Sequence, residues 1–295
     1  MAVQAPPPHP SPFKGDAALL ASPATGRERL TTAHAGSGFS AWARRRRTPL
    51  TRALAAALFL GVWELAVRAH WVEPLFLSSP SAVAVRLFQV FTDGTIYPHL
   101  LASGSTAFWG FLISCVFGIP LGVLMGRSRI VRDTLEPFVM AQASVPTVAL
   151  LPLFIIWLGI GAPARVALVF VGAVFVIVVS TETGVENIDK RLIETARSFT
   201  ATEFAILTKI VLPAALPYII SGMRLAVARV LIMVVVAELY ASTAGVGYLI
   251  FQAGAGYDTS MIFVGVVILA AAGVLMNAGL RALERRVAPW TGAAG

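Results

Sequence analysis

Few residues in this sequence could do chemistry, and their spacing decides which kind. Glu194 and Glu203 lie in a polar stretch, ETARSFTATEFAILTKIVLPAALP, from Glu194 to Pro217; Arg224, Arg229 and Glu238 follow inside an apolar run. General acid–base work needs titratable groups sharing one face or one depth, and neither a paired carboxylate nor a Ser/His/Asp set is spaced for it. The 4 His residues are scattered, with His9 and His34 in the N-terminal tail, and the 1 Cys, Cys115, sits in an apolar run. No metal-ligand spacing and no disulfide framework results. The Gly-rich phosphate loop of nucleotide-binding chains is missing, so no cofactor is expected on this chain and ATP would have to be bound elsewhere. What remains is the chemistry of charge contacts: carboxylates that can dock a partner and guanidinium groups that can hold an anion.

The elements that must position these residues are membrane helices. The chain has 295 residues, 57% hydrophobic and 13% charged, with mean hydropathy +0.78. A soluble domain carries about 25% charged residues, so this is a membrane protein. Its net charge of +8 invites a nucleic-acid reading, but the basic residues gather at the ends of apolar runs, where they report topology.

A helix crosses the hydrocarbon in about 20 apolar residues. Six candidate spans follow: 50–71, 101–125, 135–160, 164–182, 218–240 and 261–283. Residues 1–47, rich in Pro, Ala, Ser and Gly, are expected to be a disordered tail, and 291–295 a short C-terminal tail. The run Arg44 to Arg47 precedes a full-length span; a twin-arginine export signal is the competing reading, without a convincing cleavage site after it. Lys and Arg collect at one set of loops: Arg127, Arg129 and Arg132, then Lys190, Arg191, Arg197 and Lys209, then Arg281, Arg285 and Arg286. The positive-inside rule then places both termini in the cytoplasm.

The polar stretch falls between the fourth and fifth spans, on the cytoplasmic side of that topology. Leu192, Ile193, Ala196 and Phe199 are at helical spacing after a plausible N-cap, Asp189; Phe204, Leu207, Ile210 and Val211 repeat the pattern, and Pro213 is expected to stop or bend the chain. Two short amphipathic helices of this kind are unstable alone, so their apolar stripes must be covered. Either the helices lie on the membrane or the bundle, or they dock a soluble partner.

The residues Glu194-Thr195-Ala196, followed by Ile210-Val211-Leu212-Pro213, resemble the EAA loop of permease subunits of bacterial ATP-binding-cassette importers. GRSRIVRDTLEPF, PTVALLPLFIIWLGIGAPARVALVF, STETGVENIDKRLIETARSF, LPAALPYIISGMRLAVA and VVVAELYASTAGVGYLI are similar, in this order, to the nitrate/sulfonate/taurine branch. The resemblance implies an all-α permease with cytoplasmic coupling helices in residues 186–213, an ATPase partner subunit, a periplasmic or lipid-anchored solute-binding protein, a homodimer and an inner-membrane location. It assigns Glu194, Thr195, Ala196, Phe199, Thr200, Glu203, Ile210, Leu212 and Pro213 to the coupling loop. Two positions depart from the pattern: Thr195 stands where the family has Ala, and Thr200 where it has the hinge Gly. A β-branched residue tolerates the left-handed conformation poorly, so Thr200 is expected instead to start the second helix as N-cap of a capping box with Glu203.

Pro120, Pro146 and Pro152 interrupt the second and third spans, and Gln142, Ser144 and Thr147 accompany the break in the third. Backbone irregularity at that depth fits either a cavity lining or an ordinary kinked helix. Arg229 in the fifth span could meet an anion on a translocation path, snorkel, or lie at a subunit interface; Glu238 could pair with a basic group or take part in gating. Glu64 and Arg68, one turn apart, are expected to pair. Two rivals are weaker. A secondary transporter would need internal repeats and ionisable relays, and a membrane enzyme would need a catalytic cluster.

Overall fold

The computed structural model describes residues 37–73 and 75–288, and within them every regular element is a helix. They are α1 (Ser37–Arg68), α2 (Pro80–Thr92), α3 (Tyr97–Arg127), α4 (Arg129–Ser144), a 3₁₀ turn (Thr147–Leu150), α5 (Leu151–Leu158), α6 (Ala162–Glu186), α7 (Lys190–Ser198), α8 (Glu203–Ile206), a π turn (Leu207–Val211), α9 (Leu212–Ala241), α10 (Val246–Ala255) and α11 (Thr259–Val287). Residues 1–36 and 289–295 of the expected tails lie outside the described residues. The described part of the first tail, 37–47, is helical and forms the start of α1.

The chain divides at Leu60 into two units. Among the described residues the first is the N-terminal part of α1. The second holds everything from Gly61 onward and contains the core. There α6 lies between α3 and α9 and makes the most extensive pairings with both. The α3–α6 contact is close because α3 turns glycines toward α6: a Cβ on Gly110 would meet Val169 at 2.3 Å, and one on Gly122 would meet the Val178 carbonyl at 2.5 Å. Lipid tails give helices no hydrophobic drive to associate, so such small-residue faces are what let two spans pack. Leu168, Val169, Ala173 and Ile177 of α6 and Ala226, Val230, Met233, Val234 and Ala237 of α9 form the main buried cluster.

Four helices are long and apolar enough to cross a membrane, α3, α6, α11 and the continuous run Glu203–Ala241; α4 with the 3₁₀ turn and α5 makes a fifth only if a pair bent by 96° counts as one span. The expected six are therefore not reached among the described residues. The third span is broken at Val145–Pro146, as the proline led one to expect: Pro146 supplies no amide proton, and the chain turns before Thr147. Pro120, expected to interrupt the second, lies inside continuous α3. The fifth begins earlier than expected. Pro213 neither stops nor separates it, because the preceding π turn carries the helix through, with the Leu212 amide bonding to the Leu207 carbonyl. A wider turn relieves the clash between a proline ring and the carbonyl four residues back. Two helices, α2 and α10, lie in stretches read only as connections. Ser79 caps α2 by accepting from the Ala82 amide, and Val83, Val90 and Ile96 pack with Leu249 of α10 and Val264 of α11.

Candidate functional site

At one end of the bundle, where α3, α4, α6 and α7 meet, the residues expected to form the coupling loop make a folded unit. Asp189 caps α7 as expected, accepting from the Arg191 amide at 2.9 Å. One face of α7, with Ile193 and Ala196, packs with Ala201, Val185, Ile188, Ile206 and Val211. The other carries Glu194 and Thr195, both exposed. Leu192 is 53% exposed, Phe199 80% and Phe204 75%. Ile210, Leu212 and Pro213 are half-buried; Leu212 packs with the buried cluster, while Ile210 and Pro213 line a shallow surface pocket with Leu192.

The helix does break at Thr200, but by a different route from the expected capping box. Thr200 takes the left-handed conformation, φ 57°. Its amide donates to the Arg197 carbonyl at 2.9 Å and the Ala201 amide to the Ala196 carbonyl at 3.1 Å. This is a Schellman ending with Thr where Gly is usual, completed by apolar contact between Ala201 and Ala196 in the same cluster. Two hydrogen bonds and a buried contact offset a left-handed cost of about 1–2 kcal/mol. The N-cap of the next helix is Thr202, whose Oγ accepts from the Ala205 amide at 3.2 Å. Glu203 bonds elsewhere: Arg197 Nε donates to it at 3.0 Å, and Arg127 donates to its other oxygen. One carboxylate therefore ties the end of α3, the end of α7 and the start of α8.

Behind α7 lies a cleft of about 560 Å³ lined by Arg127, Arg129, Arg132, Glu186, Lys190, Glu194 and Arg197. Arg132 is bound to Glu182 at 2.9 Å and also to Glu186, fixing α4 on α6. Glu64 and Arg68 pair at 2.6 Å, and Ser81 also donates to Glu64, its amide at 3.0 Å.

The proposed pathway residues are not gathered together. Gln142 Nε2 donates to Thr147 Oγ1 at 3.4 Å across the α4 break, and exposed Ser144 bonds back to the Met140 carbonyl at 3.3 Å. Arg229 is exposed on α9, on a stripe with Tyr218, Ser221, Leu225 and Ile232. Arg224 instead pairs with Glu284 of α11. Glu238 is fully buried at the far end of α9, roughly 13 Å from Arg229 at 1.5 Å rise per residue. It is bonded to Ser103 and Gly247, with His99 and Arg165 bonded to the adjoining turn; none of these contacts is evident from spacing. Only Gly245-Val246-Gly247, a glycine pair beside the span, hinted at close packing there. Among the described residues no group of His, Cys, Asp or Glu is arranged to hold a metal.

Known proteins place this arrangement. The profile of the binding-protein-dependent transport system inner membrane component matches residues 118–289. The chain is 34% identical over 256 residues to the taurine transport system permease protein TauC of Escherichia coli (strain K12), covering 83% of this chain and 93% of the relative. It is 32% identical over 237 residues to the putative aliphatic sulfonates transport permease protein SsuC of Bacillus subtilis (strain 168), covering 80% and 86%. The nitrate import permease protein NrtB of Leptolyngbya laminosa is 26% identical over 259 residues, covering 82% and 89%. In fold, the chain is similar to an inward-facing structure of the MetNI methionine ABC transporter, with TM-score 0.57 and 23% identity over 66% of this chain and 98% of that one. An amino acid ABC transporter with histidines gives TM-score 0.55 at 16% identity, covering 68% and 97%. The chain belongs to the binding-protein-dependent transport system inner membrane component family and is an ABC importer permease.

Proposed function

We propose that the exposed face of α7 and the turn to α8 is the docking surface for an ATPase subunit, and that this permease works as a homodimer fed by a solute-binding protein. The observation that carries the reading is the exposure of Phe199 and Phe204, 80% and 75%, beside exposed Glu194 on a loop whose opposite face is buried. Large aromatic side chains in water invite a covering surface. The loop end is also the basic end, with Arg127, Arg129, Arg132, Lys190, Arg197, Arg281, Arg285 and Arg286, which supports a cytoplasmic position for it and for both termini. ATP is bound and hydrolysed on the partner; closure of the ATPases moves α7, and the Glu203 ties pass that motion to α3 and α9, switching the spans by rigid-body steps.

The substrate is a small sulfonate, taurine or nitrate-like solute, the class carried by the named relatives. Exposed Arg229 on α9 supports this: a guanidinium at that depth is costly against lipid, by about 2.5–3.5 kcal/mol on insertion scales, and is suited to an anion passing in water. Gln142, Ser144 and Thr147 at the α4 break are the other polar groups proposed for that path. Glu194→Lys together with Phe199→Ala should abolish co-purification of the ATPase and solute uptake while the permease still inserts. Normal assembly and uptake in the double variant would remove the docking proposal.

A further inference from the structure

We infer that Glu238 is the positioning residue that fixes α10 to the bundle, and that it acts as a hydrogen-bond acceptor rather than as a charge. Its Oε2 accepts from Ser103 Oγ at 2.9 Å and from the Gly247 amide at 2.8 Å. Ser103 Oγ in turn accepts from the Val246 amide at 2.8 Å, and His99 Nδ1 lies 3.1 Å from the Gly245 amide nitrogen. The free amides that open α10 are thus satisfied by side chains of α3 and α9 rather than by a cap in the turn itself. Arg165 of α6 holds the same turn, donating to Ser242 Oγ at 2.7 Å. The fit leaves no slack: a Cβ on Gly245 would meet Glu238 Cδ at 2.2 Å, and one on Gly247 would meet the Val235 carbonyl at 2.8 Å.

Helices α3 and α10 therefore meet on one carboxylate of α9, α6 holds the adjoining turn, and α10 carries the connection on to α11 and α2. Only one of the two oxygens makes these bonds; Oε1 is buried without a partner. A glutamine can keep the accepting oxygen where Oε2 is and place its amide where Oε1 is, losing no bond. Alanine strands the Ser103 hydroxyl and the Gly247 amide in a dry interior.

The test uses full-length permease, reconstituted with its ATPase and solute-binding protein, in a Cys115→Ser background carrying Ala253→Cys. Ala253 lies on α10 and is 7% exposed, so its thiol reports whether α10 stays seated. With Glu238→Ala, labelling by a membrane-impermeant maleimide should quicken, and uptake of radiolabelled taurine should fall, each by about tenfold or more, since one lost buried acceptor is worth about a decade. Glu238→Gln should stay within about threefold of the parent in both. If Glu238→Ala does not insert, Ser103→Ala reads the same quantities by removing the acceptor of the Val246 amide. Unchanged labelling in the alanine variants overturns the inference, and so does a glutamine variant that transports as poorly as alanine, which would make charge the requirement. The uptake arm rests on the proposed transport reading. A parent that moves no taurine would fault that reading, while the labelling arm still decides the role of Glu238.

Discussion

The α7–α8 turn and the α9–α10 turn close opposite ends of the bundle, and each is organised around one glutamate. Glu203 is exposed and held by two arginines; Glu238 is buried and held by a hydroxyl and a backbone amide. At the exposed turn the ties are long, solvated side chains that can re-pair as a partner moves. At the buried turn they are short, and each group has no alternative to its present bond. The contrast shows how one chain can use the same residue type for a solvated set of ties at one end and a buried set at the other. Solvent access sets the difference.

Adding bulk at the buried turn should have the largest effect. Gly245→Ala puts a methyl against the Glu238 carboxyl at a residue with φ 135°, combining overpacking with a strained backbone. We expect about 3 kcal/mol or more of destabilisation, read as a lower thermal unfolding midpoint in detergent or as lost insertion. A variant as stable as the parent would show that the turn has room to shift and that the two ends differ less than described.

At the exposed turn the matching backbone change should work in the opposite direction and less strongly. Thr200→Gly removes a Cβ from a left-handed residue and should raise stability by about 1 kcal/mol, checked by the same melt, with uptake retained. A loss of stability would mean that the Thr200 side chain contributes something the backbone geometry does not reveal. Smallest of all should be Glu203→Gln: the unfolding midpoint should barely move, because solvated ion pairs contribute little, while uptake should fall as α7 loses its tie to α3. A large drop in the midpoint would make the Glu203 ties structural and erase the contrast with Glu238.

Much of this was legible in one dimension. Apolar run length located α3, α6, α9 and α11; Asp189 announced the cap of α7; Pro146 announced the break in the third span; Glu64 and Arg68 announced their own pair by spacing alone. The short helices α7 and α8 were legible because amphipathic periodicity is a local property. Thr200 was misread for a physical reason. Conformational preference argues against a left-handed threonine, but the Ala196–Ala201 contact that enforces it depends on core packing from α6 and α9. Pro213 was misread similarly, because the π turn that accommodates it is a choice made by the whole helix.

By itself, then, the sequence determined the solvent each segment requires, which end is basic, and which loop presents an amphipathic face, since all three follow from residue type and spacing. The tertiary structure alone decided which glutamate is buried and which is exposed. Ser103, Glu238 and Gly247 lie up to 144 positions apart in the chain, and no local rule brings them together; glycine-mediated packing of α3, α6 and α9 does, and with it the low-dielectric site in which one acceptor oxygen can hold a turn.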